Sequence, residues 1–123
     1  MRFAEDQPGS AYAIRAYEAG RIRVGEQELT RSLVLSPERL QADWPPQDFD
    51  ALRSEHLASL VAWQPEVLLL GTGPRLRFPE PALLRPLIEQ GIGLEVMDTA
   101  AACRTYNILL AEGRRVVAAL FMI

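Results

Sequence analysis

Two short words carry the residue types best able to do chemistry, Gly71-Thr-Gly73 and Asp98-Thr99. A glycine pair around a hydroxyl, at the end of an apolar run, offers backbone amides that can cradle an anion. The dinucleotide version of that device needs a third glycine three residues on and a helix starting at once. Position 76 is leucine, and Pro74 followed by Arg75-Leu-Arg-Phe-Pro79 delays any helix, so the fingerprint fails. What remains is a short turn with exposed amides. Asp98-Thr99 reads first as a helix cap, whose oxygens accept the free amide hydrogens of the first turn. The functional alternative is a crevice formed by Gly71, Thr72, Gly73, Asp98 and Thr99, holding an anion or polar ligand at a helix amino terminus. The Asp98 carboxylate would repel an anion, which leaves Thr99 and the backbone as the donors.

The remaining chemically able residues are isolated. Cys103 falls on a helical stripe with Ala102, Tyr106, Leu109 and Leu110, and a thiol buried there is protonated and inert. His56 lies beside Leu57 with no cysteine or serine partner evident, so a triad cannot be built on it. Glu95 alternates with Leu94 and Val96; it is expected to be exposed or paired with an arginine, since an unpaired buried carboxylate is costly. Arg104 is solvated, pairs with Glu95 or Asp98, or presents its guanidinium to a partner's carboxylate. Asn107 can tie its helix to a neighbouring segment. No catalytic residue, metal-ligating set or cofactor is expected. On the helical wheel Ala101, Arg104 and Ile108 lie together, opposite the Tyr106 and Leu110 face. An apolar centre with an arginine at its rim suits a homo- or hetero-interface.

These residues need elements to place them. Val67 to Leu70 is continuously apolar, as in a strand covered on both faces, and a second buried strand is expected over 93–97. A helix over 99–112 follows, then a last strand over 116–121. Two strands that each run into a polar or glycine-rich corner suggest a parallel sheet with a crevice at its carboxyl edge. Before them, alternation from Tyr12 through Ile14, Ile22 and Val24 predicts an antiparallel meander, with a turn at Gly25-Glu26 and a further strand over 28–35. The proline-rich stretch over 36–50 reads as a surface excursion. A helix over 54–63 carries Leu57, Leu60 and Val61 on one stripe and stops at Pro65. Leu83, Leu84, Leu87 and Ile88 form a short helical face ending at Gly91. The order predicts one α/β domain over 1–123, carrying an antiparallel hairpin.

Composition bounds the function. A chain of 123 residues is one domain with room for one substantial core. The net charge of −3 argues against general affinity for nucleic acid or a membrane surface. All 13 cationic residues are arginine, which removes Schiff-base chemistry and the P-loop lysine. One cysteine and one histidine exclude an intramolecular disulfide and thiolate-rich or two-histidine metal motifs. No run approaches the roughly 18 apolar residues of a membrane span. The acidic amino terminus lacks an apolar signal core. A cytoplasmic location fits these features.

Several rarer words occur in order: Leu70-Gly-Thr-Gly73, Phe78-Pro79, Gly91-Ile-Gly93, Glu95-Val-Met97, Thr99, Ala102, Arg104-Thr-Tyr-Asn107 and Glu112-Gly-Arg114. Together they resemble the family of small uncharacterised α/β domains that includes the mitochondrial respiratory complex I assembly factor 3. The resemblance is strongest over 67–120 and extends weakly through the meander. It implies a three-layer fold with a central mixed sheet, flanking helices and additional β-structure. It also implies a protein-binding role without catalysis, as for the mitochondrial members, whereas bacterial members mostly lack an assigned role. The expected partner is another protein or a second copy of the chain; the alternative is a small-ligand-binding module, or an enzyme of unknown reaction, using the crevice at the carboxyl ends of the parallel strands.

Overall fold

The computed structural model describes residues 12–123; the amino terminus read above as lacking a signal core lies outside them. Strands β1 (Ile14–Glu18), β2 (Arg21–Val24) and β3 (Gln27–Leu29) form an antiparallel sheet. The β2–β3 turn is Gly25-Glu26, as the alternation predicts, with Gly25 at φ 56°. A second sheet has five strands: β4 (Leu33–Leu35), β5 (Leu40–Gln41), β6 (Val67–Gly71), β7 (Leu94–Met97) and β8 (Val116–Leu120). Their order is β5-β4-β8-β6-β7; β6 pairs parallel with β7 and β8, whereas β4 runs antiparallel to β8 and β5.

Helix α1 (Ser54–Ala58) continues as a 3-10 turn to Trp63. The 3-10 turn Pro81–Leu84 leads into α2 (Arg85–Glu89), and α3 spans Thr99–Ala111. The sheet separates two cores. On one face Leu33, Leu35, Leu69, Val116, Ala118 and Leu120 pack with α3 and the three-stranded sheet. On the other, Val34, Leu68, Leu70, Val117, Ala119 and Phe121 meet Trp44, Leu57, Leu60 and Leu87. The period-2 alternation of strand side chains therefore feeds both cores, which explains the unbroken apolar runs in β6 and β8. This is the three-layer α/β architecture with a mixed sheet.

Four expectations are corrected. The strand read over 28–35 is two, β3 and β4, in different sheets. The break at residues 30–32 is fixed by Ser32, whose hydroxyl donates to the carbonyls of Trp44 and Pro46. The excursion over 36–50 is not all surface: it contains β5, and Trp44 is buried against Phe121 with ring centroids 5.3 Å apart. The strand expected over 93–97 begins at Leu94 and lies at the sheet edge, half-buried, with Glu95 exposed. The helix read over 54–63 tightens to 3-10 geometry from Ser59 and ends at Gln64, in the left-handed region, before Pro65.

Candidate functional site

Because β6, β7 and β8 are parallel neighbours, their carboxyl ends meet at one edge. The chain leaves β6 toward α2 and β7 toward α3, and these helices cover opposite faces of the sheet. Such a divergence is where α/β sheets open a ligand crevice. Here backbone pairing continues past the strand ends. The Thr72 amide donates to Met97 O (2.9 Å), the Thr99 amide to Gly73 O (3.0 Å) and the Phe121 amide to Gly71 O (2.9 Å). Thr72 and Thr99 thus share one sheet edge, as the parallel arrangement requires.

Both hydroxyls are engaged. Thr99 Oγ1 donates to Phe121 O (2.6 Å) and accepts from the Gly73 amide (2.8 Å), joining the ends of all three strands. Thr99 is fully buried. Gly71 is glycine because of this arrangement: a Cβ there would stand 2.8 Å from Thr99 Oγ1 and 2.9 Å from Leu120 Cδ2. Thr72 Oγ1 donates to Arg75 O (2.7 Å) and accepts from the Arg77 amide (3.2 Å), which shapes the loop leaving β6. Asp98 caps α3, its Oδ1 accepting from the Ala101 amide at 2.8 Å.

The open space at this edge lies to one side of the predicted crevice. A depression of about 180 Å³ is lined by Thr72, Gly73, Arg75, Arg77, Phe121 and the segment 47–50, among others. Gly71, Asp98 and Thr99 are not part of its lining. Arg77 spans its wall, paired to Asp50 at 2.7 Å with its guanidinium 4.4 Å from the Phe49 ring centre. The hydrogen bond from Arg77 holds the Asp50 carboxyl below its ordinary range. Sequence reasoning had no means of finding Phe49 and Asp50, because nothing in their spacing links them to residues 72–77.

The isolated candidates also have settled positions. Cys103 is fully buried in the core beneath α3, and burial pushes its thiol up to about 12. His56 Nδ1 accepts the Arg53 amide at 2.9 Å, so the imidazole serves the start of α1. Arg104 does not meet Glu95 or Asp98; its Nη1 donates to Tyr17 Oη at 3.0 Å. Asn107 donates to Ile14 O (2.8 Å) and accepts the Ile14 amide (2.9 Å), pairing with β1 as a peptide group would. Tyr106 Oη donates to Tyr12 O at 3.0 Å. The adjacent Tyr106 and Asn107 therefore fasten the three-stranded sheet to α3. Ala101 is half-buried, and Arg104 and Ile108 are exposed on the outer side of this helix, Ile108 by 59%.

A mixed sheet between two helical layers, with a threonine-stitched carboxyl edge and a meander docked on the last helix, defines a small α/β domain class. The chain belongs to the family described as "Protein of unknown function (DUF498/DUF598)", which matches residues 14–121. It is similar to a Bordetella parapertussis protein of known crystal structure, at 45% identity and a TM-score of 0.81, covering 90% of this chain and 95% of that one. Among named relatives, the NADH dehydrogenase [ubiquinone] 1 alpha subcomplex assembly factor 3 of Danio rerio is 40% identical over 71% of this chain. The match spans 50% of that factor's own length. A "13 kDa major membrane protein" of Francisella tularensis subsp. holarctica is 27% identical over 94% of this chain and 95% of its own. Among the described residues, no helix is long and apolar enough to cross a membrane.

Proposed function

We propose that this chain acts by binding another protein, as an assembly-factor-like module without a reaction of its own. The observation that carries this reading is the outer face of α3. A 13-residue helix, clamped to the sheet by Thr99, Tyr106 and Asn107, holds Ile108 in solvent with Arg104 at its rim. A rigid apolar centre beside an arginine is the composition of an interface core, and its ordering cost is already met by the fold. The carboxyl edge supports the same reading. Its hydroxyls and the Asp98 carboxylate are engaged in cap and loop hydrogen bonds, and the thiol of Cys103 lies in the core.

The alternative is a small ligand at that edge, reached through Thr72 and Gly73. The depression favours it by position and disfavours it by size, since about 180 Å³ falls short of the roughly 300–1,000 Å³ typical of ligand pockets. A cytoplasmic location goes with the protein-binding role. The name of the Francisella relative raises attachment at a membrane surface, which fractionation of the native cell would separate from a cytoplasmic pool.

Affinity purification of the full chain from its native cell tests the proposal. It predicts a protein recovered in stoichiometric amount with the chain. Recovery of the chain alone, or with a small metabolite and no protein, contradicts it.

A further inference from the structure

Helix α3 lacks the charged outer face that a helix on a protein surface ordinarily carries. Its residues, Thr99–Ala111, include a single charged side chain, Arg104. The inward stripe of Thr99, Ala102, Cys103 and Tyr106 is buried. The side turned away from that stripe presents Ala101, Thr105, Ile108 and Ala111 around Arg104, with Ile108 and Ala111 exposed. A helix that is apolar on its outer side as well has the pattern of one covered on both sides.

Arg104 is unfinished in a different way. Its Nη1 donates to Tyr17 Oη at 3.0 Å, and that acceptor is an uncharged phenol. Among the described residues no carboxylate pairs with Arg104. Asp98, at the start of the same helix, has its Oδ1 on the Ala101 amide. Tyr17 packs half-buried against the core, so its hydroxyl holds the guanidinium at a set place on the helix.

These features select among occupants. A second copy packed antiparallel over the Ala101–Ile108 face would bring the two Arg104 side chains together at its centre, cation against cation. A bilayer calls for several cations and several large apolar groups on one face, and the exposed residues of α3 supply Arg104 and Ile108 alone. A different protein, bringing an apolar strip with a carboxylate in it, matches both the apolar face and the unneutralised cation. A planar guanidinium binds a carboxylate by two parallel hydrogen bonds, which fixes the register of the contact. We infer that the partner covers the outer face of α3 with an apolar strip whose carboxylate meets Arg104, and that Tyr17 is the positioning residue for this contact. The inference rests on the protein-binding reading proposed above and adds the chemistry of the partner to it.

The test takes the protein that the wild-type chain retains from its native cell, purifies it, and measures its Kd for the chain and its variants across a sodium chloride series. Ile108→Glu and Arg104→Gln should stay folded by circular dichroism and each weaken binding roughly tenfold or more, and Arg104→Gln should flatten the salt dependence. Arg104→Lys, which keeps the charge and loses the fork, should fall between Arg104→Gln and the wild type. Tyr17→Phe should weaken binding in the wild type and add nothing in Arg104→Gln, because its effect passes through the guanidinium. Arg104→Glu should be rescued by a Glu→Arg or Asp→Arg change at one acid of the captured protein. Binding that depends on Ile108 but not on Arg104 would overturn this inference and leave the protein-binding proposal standing, as would failure of every such rescue. An additive effect of Tyr17→Phe would overturn its positioning role. Absence of any stoichiometric protein on the wild type, or binding indifferent to both Ile108 and Arg104, would overturn the inference together with the reading beneath it. Recovery of a second copy alone, or attachment to phosphatidylglycerol vesicles that Arg104→Gln abolishes in place of protein capture, would assign the face to those occupants and overturn it too.

Discussion

At the scale of single residues, the groups that looked most able to react are the ones the fold uses for itself. Thr99 shows this most directly, because one hydroxyl closes the ends of three strands. Thr99→Val keeps the shape and removes both bonds, leaving the Gly73 amide and the Phe121 carbonyl unpaired. Chemical denaturation should show a loss of about 1–3 kcal/mol for each of these groups. A variant as stable as the wild type would show the stitch to be incidental. Cys103 is the second case. Its thiol is raised to about 12 by burial, so it stays protonated and unreactive at neutral pH. A thiol reagent should label the native chain slowly and the denatured chain fast. The same shift has a sign in stability. A thiol raised in the fold contributes stability below the ordinary thiol range, and this is lost as the pH climbs toward 12. Cys103→Ala should cost on the order of 1 kcal/mol, since little volume is removed.

At the scale of elements, the helix-strand half of the chain was largely legible and the first half only in part. The β6, β7, α3 and β8 segments are long enough, and their caps distinct enough, for periodicity to place them. The break between β3 and β4 was not legible. It depends on Ser32 reaching the carbonyls of Trp44 and Pro46, a contact 12 and 14 residues away that no local pattern announces. The edge position of β7 was hidden for a related reason. Its apolar residues are those of a covered strand, and only the strand order shows that one side has no neighbour. Of the candidate crevice, the shared edge was legible from the two corners, but the continued pairing that closes it was not. The role of Asn107 also appears only in three dimensions. Asn107→Ala should remove both bonds to Ile14 and cost about 1–2 kcal/mol. Hydrogen exchange should then quicken in β1, β2 and β3 more than in β6 and β8; a uniform change would argue against a docking role. The loop after β6 has its own test. The Asp50 carboxyl should titrate below the ordinary range, and Arg77→Gln should return it there, as followed by NMR. A carboxyl depressed by its partner contributes while ionised, so the contact weakens as the pH falls through its lowered value. An unchanged Asp50 titration in Arg77→Gln would contradict the pairing.

At the scale of the whole molecule, the described chain is a three-layer support with different equipment on different surfaces. Inside, the sheet feeds two cores, and at the carboxyl edge the oxygens of Thr72, Thr99 and Asp98 are engaged in loop, strand and cap hydrogen bonds. Outside, α3 holds Ile108 and Arg104 in a fixed relation. That division supports the proposal that the chain works through recognition by a surface. The measurement bearing most directly on this claim compares two baits, the wild-type chain and Ile108→Glu, in affinity capture from the native cell with quantitative mass spectrometry. Because Ile108 is exposed, the variant should retain the wild-type fold by circular dichroism. The account predicts a protein held in stoichiometric amount by the wild type and reduced at least tenfold on the variant. Equal capture by both folded baits, or unfolding of Ile108→Glu, would contradict it.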